Sequence, residues 1–388
     1  MGNRYEELVS LRGVAALIVL FSHFIFVIPM KNESFIPYIK ILTSGHSAVI
    51  LFFVLSGFVL SLPFFQNTKV SYPKYLIRRI CRIYIPYLII TILAYLAKVA
   101  LTSKIGIVPD IRGLGTWNDD TTVNSLINHL LFLGEYKWYT FNMVIWTLVH
   151  EMRVSIIFPF IMIFVLKASW RLNVLASLLL SGIGYIMMLN VPSAFHVPLS
   201  TNYFVTLHYT SMFIIGANLA KHRASLLRII ARSKTKYLFL PVGLLFFSYP
   251  RIPFTIFSKL IGNTEYNLYL IMIDWFITIG AVLILLHALG ANYFSRLLLM
   301  KPVHYLGKIS FSMYLIHALI LLIMLHIFYE IIPTPVIVIM SLILTMVSSA
   351  LCYKFIEEPA IKLGKYLTNR RGNSRLTNRE EFSKKISV

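Results

Sequence analysis

Charge is scarce in this chain. Only 13% of its 388 residues are Asp, Glu, Lys or Arg, about half the ~25% of an ordinary soluble domain. With 58% hydrophobic residues and a mean hydropathy of +0.76, that shortage excludes a water-soluble globule. Cysteine is rarer still. Cys81 and Cys352 lie too far apart for a disulfide framework or a metal-ligand spacing, so no metal is expected. Gly 18 and Pro 16 are modest, and together with strong apolar runs they exclude collagen, disorder and coiled coil. No internal repeat is visible, so the inverted-repeat sign of many secondary transporters is missing. Acids are outnumbered, with 15 Asp and Glu against 36 Lys and Arg for a formal charge of +21. On a soluble protein that excess would suggest nucleic acid. Here the basic residues sit in short clusters between long apolar runs, the footprint of a multispanning membrane protein, and no nucleic-acid partner is expected.

A spanning helix needs ~20 apolar residues, and ten stretches qualify: about 9–29, 45–65, 80–102, 142–166, 172–190, 203–220, 236–250, 267–288, 304–328 and 333–356. The expected fold is therefore all-α and polytopic, with about ten transmembrane helices. The seventh stretch is the weakest, because Pro241 and Gly243 interrupt it; it reads as tilted, broken or extended through Phe257. Leu126 to Leu133 is too short to cross and reads as interfacial or re-entrant within the long 103–141 loop. Glu6 and Glu7 precede the first run without a small-residue cleavage site, so that span reads as retained. Alternate loops hold 26 and 7 of the 36 Lys and Arg, an asymmetry that places both termini in the cytoplasm. The membrane domain is expected over 1–365, followed by a basic cytoplasmic tail over 366–388 that could touch anionic lipid headgroups. Asn32-Glu33-Ser34 is a glycosylation sequon in an outward loop, a pattern that often arises by chance.

A titratable residue inside a span is costly and marks a candidate site. Arg12 and His23 are eleven residues apart in the first span. That spacing puts them within about 20° on one helix face, about 16 Å apart along the axis. Such an arrangement suits a long ligand with a charged end and a reactive end, although topology and core hydrogen bonding would account for each residue alone. Counting from the span ends, His23, His317 and Glu151 come to about 22, 20 and 16 Å from the inner side, so three spans could bring them into one layer. His150 and Arg153 flank Glu151 on other helix faces, so only one of them can be its partner. At the inner end of the third span, Arg79 and Arg82 share a helix face. They serve either as an orientation signal or as a bidentate phosphate site, which Lys308 could join. Asp274 is a further intramembrane acid, a substrate contact or the partner of an arginine.

The order of these features resembles the acyltransferase-3 superfamily of multispanning membrane acyltransferases. The resemblance covers about 5–365. It rests on Ser10-Leu11-Arg12-Gly13 with His23, Phe52-Phe53-Val54-Leu55-Ser56-Gly57-Phe58, and Arg78-Arg79-Ile80-Cys81-Arg82-Ile83-Tyr84 with Pro86. It continues through Trp146-Thr147-Leu148-Val149-His150-Glu151, Ser310-Phe311-Ser312-Met313-Tyr314-Leu315-Ile316-His317 and Glu357-Glu358-Pro359. The resemblance implies transfer of an acyl group, usually acetyl, from coenzyme A inside the cell to a hydroxyl of a sugar or lipid-linked glycan on or near the outer side. Arg12, Arg79 and Arg82 would hold the nucleotide end, and the pantetheine arm would carry the thioester to His23. His23 would be the general base or a transient acyl carrier, and Glu151 would orient the imidazole or contact the acceptor. Trp146, Asp274 and His317 count among the acceptor-side candidates, with Trp146 read either as a sugar platform or as an interfacial anchor. Ser56 and Gly57 read as close helix packing.

Arg153 departs from the apolar or aromatic residue expected there, which suggests an anionic substrate or an internal ion pair. Some relatives carry an appended extracytoplasmic hydrolase-like domain, so either this chain transfers directly or a separate extracytoplasmic transferase finishes the reaction. The expected acceptor is a surface polysaccharide such as O-antigen lipopolysaccharide, capsule or exopolysaccharide, with the protein in the bacterial inner membrane. Acylation of a small molecule such as a macrolide, and a glycan transporter using His23, Glu151 and Asp274 for proton coupling, are the alternatives.

Overall fold

The computed structural model describes residues 5–28, 36–66, 70–105, 117, 121–189, 200–233, 236–261, 266–290 and 293–369. The sequon at Asn32 and the tail beyond Asn369 lie outside the described residues, as does most of 106–120. All regular structure among the described residues is helical. The helices are α1 (Glu6–Val27), α2 (Gly45–Ser61), α3 (Tyr72–Ile105), α4 (Val123–Leu131), α5 (Trp146–Lys167), α6 (Trp170–Leu189) and α7 (Tyr203–Arg232). They continue with α8 (Phe239–Ser248), α9 (Arg251–Ile261), α10 (Tyr266–Ala288), α11 (Tyr293–Leu298), α12 (Lys301–Phe328) and α13 (Thr334–Cys352). A π-helical turn, Tyr353–Glu357, carries the last helix on to Asn369.

Among the described residues, eight helical stretches are long and apolar enough to cross a membrane, and α8 with α9 makes a ninth if the pair is one broken span. The chain is thus an integral membrane protein, with eight or nine such spans where the sequence suggested ten. The difference lies in α7, which covers the stretch expected at 203–220. Thr206, His208, Thr210, Ser211 and Asn218 make it too polar by the same measure, yet all are buried. α7 packs against α2, α5, α6 and α10, so its polar groups are satisfied by protein and need no lipid-compatible surface. The weak seventh stretch is broken: α8 and α9 meet at 81°, where Tyr249 and Pro250 stand between two half-helices. The short helix α4, nine residues long, does not cross.

α12 forms the axis of the bundle, buried almost without interruption from Ile309 to His326. α6 instead turns Leu175, Leu178, Leu179, Ile183 and Ile186 outward. Lipid tails are as apolar as leucine, so helices in a membrane associate by close packing of small residues. Two contacts carry this. α1 crosses α12 where Gly13 and Gly307 meet, and a side chain on either would run into the other helix's backbone. α2 crosses α7 the same way, with Gly57 against the Phe213 carbonyl and Gly216 against the Val54 carbonyl, so the packing role expected for Gly57 is its observed position.

Candidate functional site

Three arginines converge at one end of the bundle. Arg12 on α1 lies within electrostatic range of Arg79, Arg82, Glu151 and Glu357. The Arg79 Nη1 approaches the Glu151 Oε1 at 4.0 Å. Glu357, buried in the π-helical turn, accepts a hydrogen bond from the Ser312 hydroxyl at 2.6 Å and faces Arg82 and Arg12. Three guanidiniums against two carboxylates leave an unbalanced positive charge at the membrane end of α3. Lys308 does not join them; it is exposed on α12, because its neighbour Gly307 takes the face against α1. A narrow pocket, with room for about 30 Å³, leads inward from Arg12 and Glu151 between Phe52, Phe311 and Tyr314.

About three turns further along α1, His23 meets His317 of α12. The His23 Nδ1 and His317 Nε2 are 3.0 Å apart, with the rings stacked. The protons can be assigned from the surroundings. His317 Nδ1 faces the Tyr314 and Met313 carbonyls at 2.8 and 3.1 Å and must therefore donate. A neutral imidazole then offers an acceptor at Nε2, so His23 must donate from Nδ1 and keep its lone pair on Nε2. Fully buried His317 thus fixes the tautomer in which half-buried His23 can act as a base.

Glu151 is not the third member of this layer. Asn142, which precedes α5, donates from Nδ2 to the Leu315 carbonyl at 2.8 Å, next to His317. The segment before α5 folds into the bundle, so α5 starts at the histidine layer and not at the surface. Five residues into α5 from Trp146, Glu151 lies ~7.5 Å further along the axis, at the arginines. The gap between is bridged by Thr147 and Tyr314, whose hydroxyls are 2.7 Å apart.

Among the described residues, Asp274 pairs with histidines and with no arginine. Its two oxygens meet His46 Nε2 at 2.6 Å and His208 Nε2 at 3.2 Å, and His208 continues to the Ser181 hydroxyl at 2.7 Å. Trp146 is buried against His150 and Tyr209. His150 spends both ring nitrogens on Thr206 and the Ser200 carbonyl. Arg153 is held by hydrogen bonds, with Glu135 in electrostatic range. Its guanidinium donates to the Leu133, Gly134 and Thr201 carbonyls and to the Thr206 hydroxyl at 2.7–3.0 Å. It therefore clamps the segment before α5 to the start of α7.

A family model described as an acyltransferase domain matches residues 5–354, nearly the whole chain. The chain belongs to the acyltransferase-3 family. No curated protein and no solved structure matches it. In this acyltransferase the motif residues fall into two layers on α1, α3, α5 and α12, the arginines with Glu151 below and the histidine pair above. Sequence reasoning missed Glu357 as a counter-charge to the arginines, although the Glu357-Glu358-Pro359 motif was visible. It also missed His46 and His208 as the partners of Asp274. A histidine two residues into an apolar stretch was the available sign for His46; for His208 the sign was a polar cluster in a span that otherwise reads as apolar.

Proposed function

We propose that this acyltransferase takes an acetyl group from coenzyme A on the cytoplasmic side and passes it to a hydroxyl of a surface polysaccharide or lipid-linked glycan on the outer side of the bacterial inner membrane. The observation that carries the reading is the pairing of a base-competent His23 with an unbalanced arginine cluster on one face of α1. Eleven residues separate Arg12 from His23, about 16 Å, a span that an extended pantetheine arm covers. Arg12, Arg79 and Arg82 hold the phosphates, for which planar guanidinium pairs are suited. His23 Nε2 takes the proton from the acceptor hydroxyl as its oxygen attacks the thioester carbonyl, and the thiolate leaves on coenzyme A. With Glu151 drawn to Arg79, His317 is the group that orients the imidazole. The pocket below Tyr314 is too narrow for the arm, so Phe52 and Phe311 must swing aside when the donor binds. Termini on the cytoplasmic side follow from the basic loops and put the arginines on the donor's face.

The test is His23→Ala in reconstituted protein with labelled acetyl-coenzyme A and candidate glycans. Transfer should fall by at least the ~10²–10⁴-fold typical of general acid–base catalysis, at matched membrane levels. Near-normal labelling by the variant would remove His23 from the reaction.

A further inference from the structure

A second space, more polar than the pocket beside Arg12, lies elsewhere in the bundle. A cavity of about 520 Å³ opens where the α8–α9 break faces the starts of α2 and α10, lined among others by Lys40, His46, Ser47, Tyr249, Arg251 and Tyr269. Its place in the bundle is fixed by α1. Gly45, the residue before His46, is packed so tightly on Ser22 that a side chain there would collide with the serine hydroxyl, and Ser22 is the neighbour of His23. Arg12 is ten residues back along the same helix, ~15 Å away. The start of α2, which forms one wall of the cavity, therefore packs on the turn that carries His23, at the end of the bundle remote from the arginine cluster.

Its chemistry differs from that of an apolar void. Lys40 and Arg251 line it, and no Asp or Glu does so among the described residues. His46 lines it and is held by its Nε2 on buried Asp274, which is held in turn by His208; the His46 Nδ1 is buried and has no hydrogen-bond partner. Tyr249 and Tyr269 supply rings of the kind on which sugar faces pack. A broken span is tolerated at membrane depth where it lines a polar cavity, so the 81° bend and the cavity have one explanation.

We infer that this cavity is the acceptor site and that it takes an acidic saccharide, one bearing carboxylate or phosphate groups, with Lys40 and Arg251 as the anion contacts. The role as acceptor site rests on the transferase reading above; the preference for an acidic sugar does not. The residue first suspected of reading a negative substrate, Arg153, is bound up in backbone carbonyls, whereas Lys40 and Arg251 line this cavity.

The test is calorimetric titration of the full chain in phosphatidylcholine nanodiscs with trigalacturonic acid and with its methyl ester, which keeps the sugar and removes the charge. The acid should bind at least ~10-fold more tightly than the ester, as expected for one charge-assisted contact. Lys40→Ala with Arg251→Ala should erase that difference and leave ester affinity unchanged. Equal binding of acid and ester by the unaltered protein, or no saturable binding of either, overturns the inference without any variant having to fold. Binding of dioctanoyl phosphatidylglycerol but not of the sugar acid assigns the two cations to lipid phosphate and overturns it too. Charge-selective binding in a protein that transfers no labelled acetyl keeps the saccharide site and rejects the transferase reading. Acetyl transfer without charge selectivity does the reverse.

Discussion

Replacing His317 with Leu isolates the part of catalysis that depends on the tautomer of His23. In the structure the His317 Nε2 is the acceptor, 3.0 Å from His23 Nδ1, and its own Nδ1 is anchored on the Tyr314 carbonyl at 2.8 Å. Leucine keeps the packing volume and removes the acceptor. The His23 N–H then loses its partner, a cost of ~1–3 kcal/mol for a buried donor, and the ring is free to turn its proton to Nε2, where it no longer serves as a base. At 1.4 kcal/mol per decade, kcat should fall about 5- to 140-fold, less than for His23→Ala. His317→Gln, which retains an acceptor oxygen, should fall between Leu and the unaltered protein. The assay is initial-rate transfer of labelled acetyl to membrane glycans at matched protein, with KM for acetyl-coenzyme A followed in parallel. KM should not move, because the arginines sit about three helical turns away. Unchanged kcat in His317→Leu, or a loss found wholly in KM, would refute the reasoning.

Three further outcomes are expected. Neutral substitutions at Arg12, Arg79 and Arg82 should each weaken coenzyme A binding by ~1.5–3 kcal/mol, with lysine rescuing only in part because it lacks the planar two-point contact; direct titration checks this, and unchanged affinity in all three would return them to topology signals. Gly307→Ala should lower the melting temperature in detergent, since the added methyl meets the Val9 carbonyl and neither backbone can yield cheaply; overpacking of this kind costs ~1–3 kcal/mol, and an unshifted transition would show that the α1–α12 crossing is looser than described. Arg153→Lys should destabilise by roughly the same amount, because a lysine's three donors cannot reach the three carbonyls and the hydroxyl now held, while KM for acetyl-coenzyme A in the folded fraction stays as it was; a KM effect without a thermal one would contradict the clamp.

Much of this arrangement was readable from the chain, for reasons that also explain what was not. Helix periodicity is a local rule, so Arg12 and His23 could be put on one face of α1 by counting, and matching depths brought His23 to His317. Depth counted from a surface fails when the chain folds inward before its helix begins. That is the case at Asn142, and it displaced Glu151 by a layer. Hydropathy reads lipid exposure, which is why enclosed α7, with His208 and Asn218 satisfied by protein, does not meet the measure for a span. Contacts between distant segments, such as Glu357 with Ser312 or Asp274 with His46 and His208, follow from how helices pack, and no spacing within one sequence carries that information.

The central claim is that donor and acceptor approach one site from opposite faces. Sealed vesicles of known orientation test it most directly, with acetyl-coenzyme A supplied on one side only and the glycan acceptor confined to the other. Acylated glycan should form only when the donor is on the face that bears the termini and the Arg12 cluster. Transfer that requires donor and acceptor on the same face, or glycan crossing the membrane unacylated with no donor present, would contradict the account.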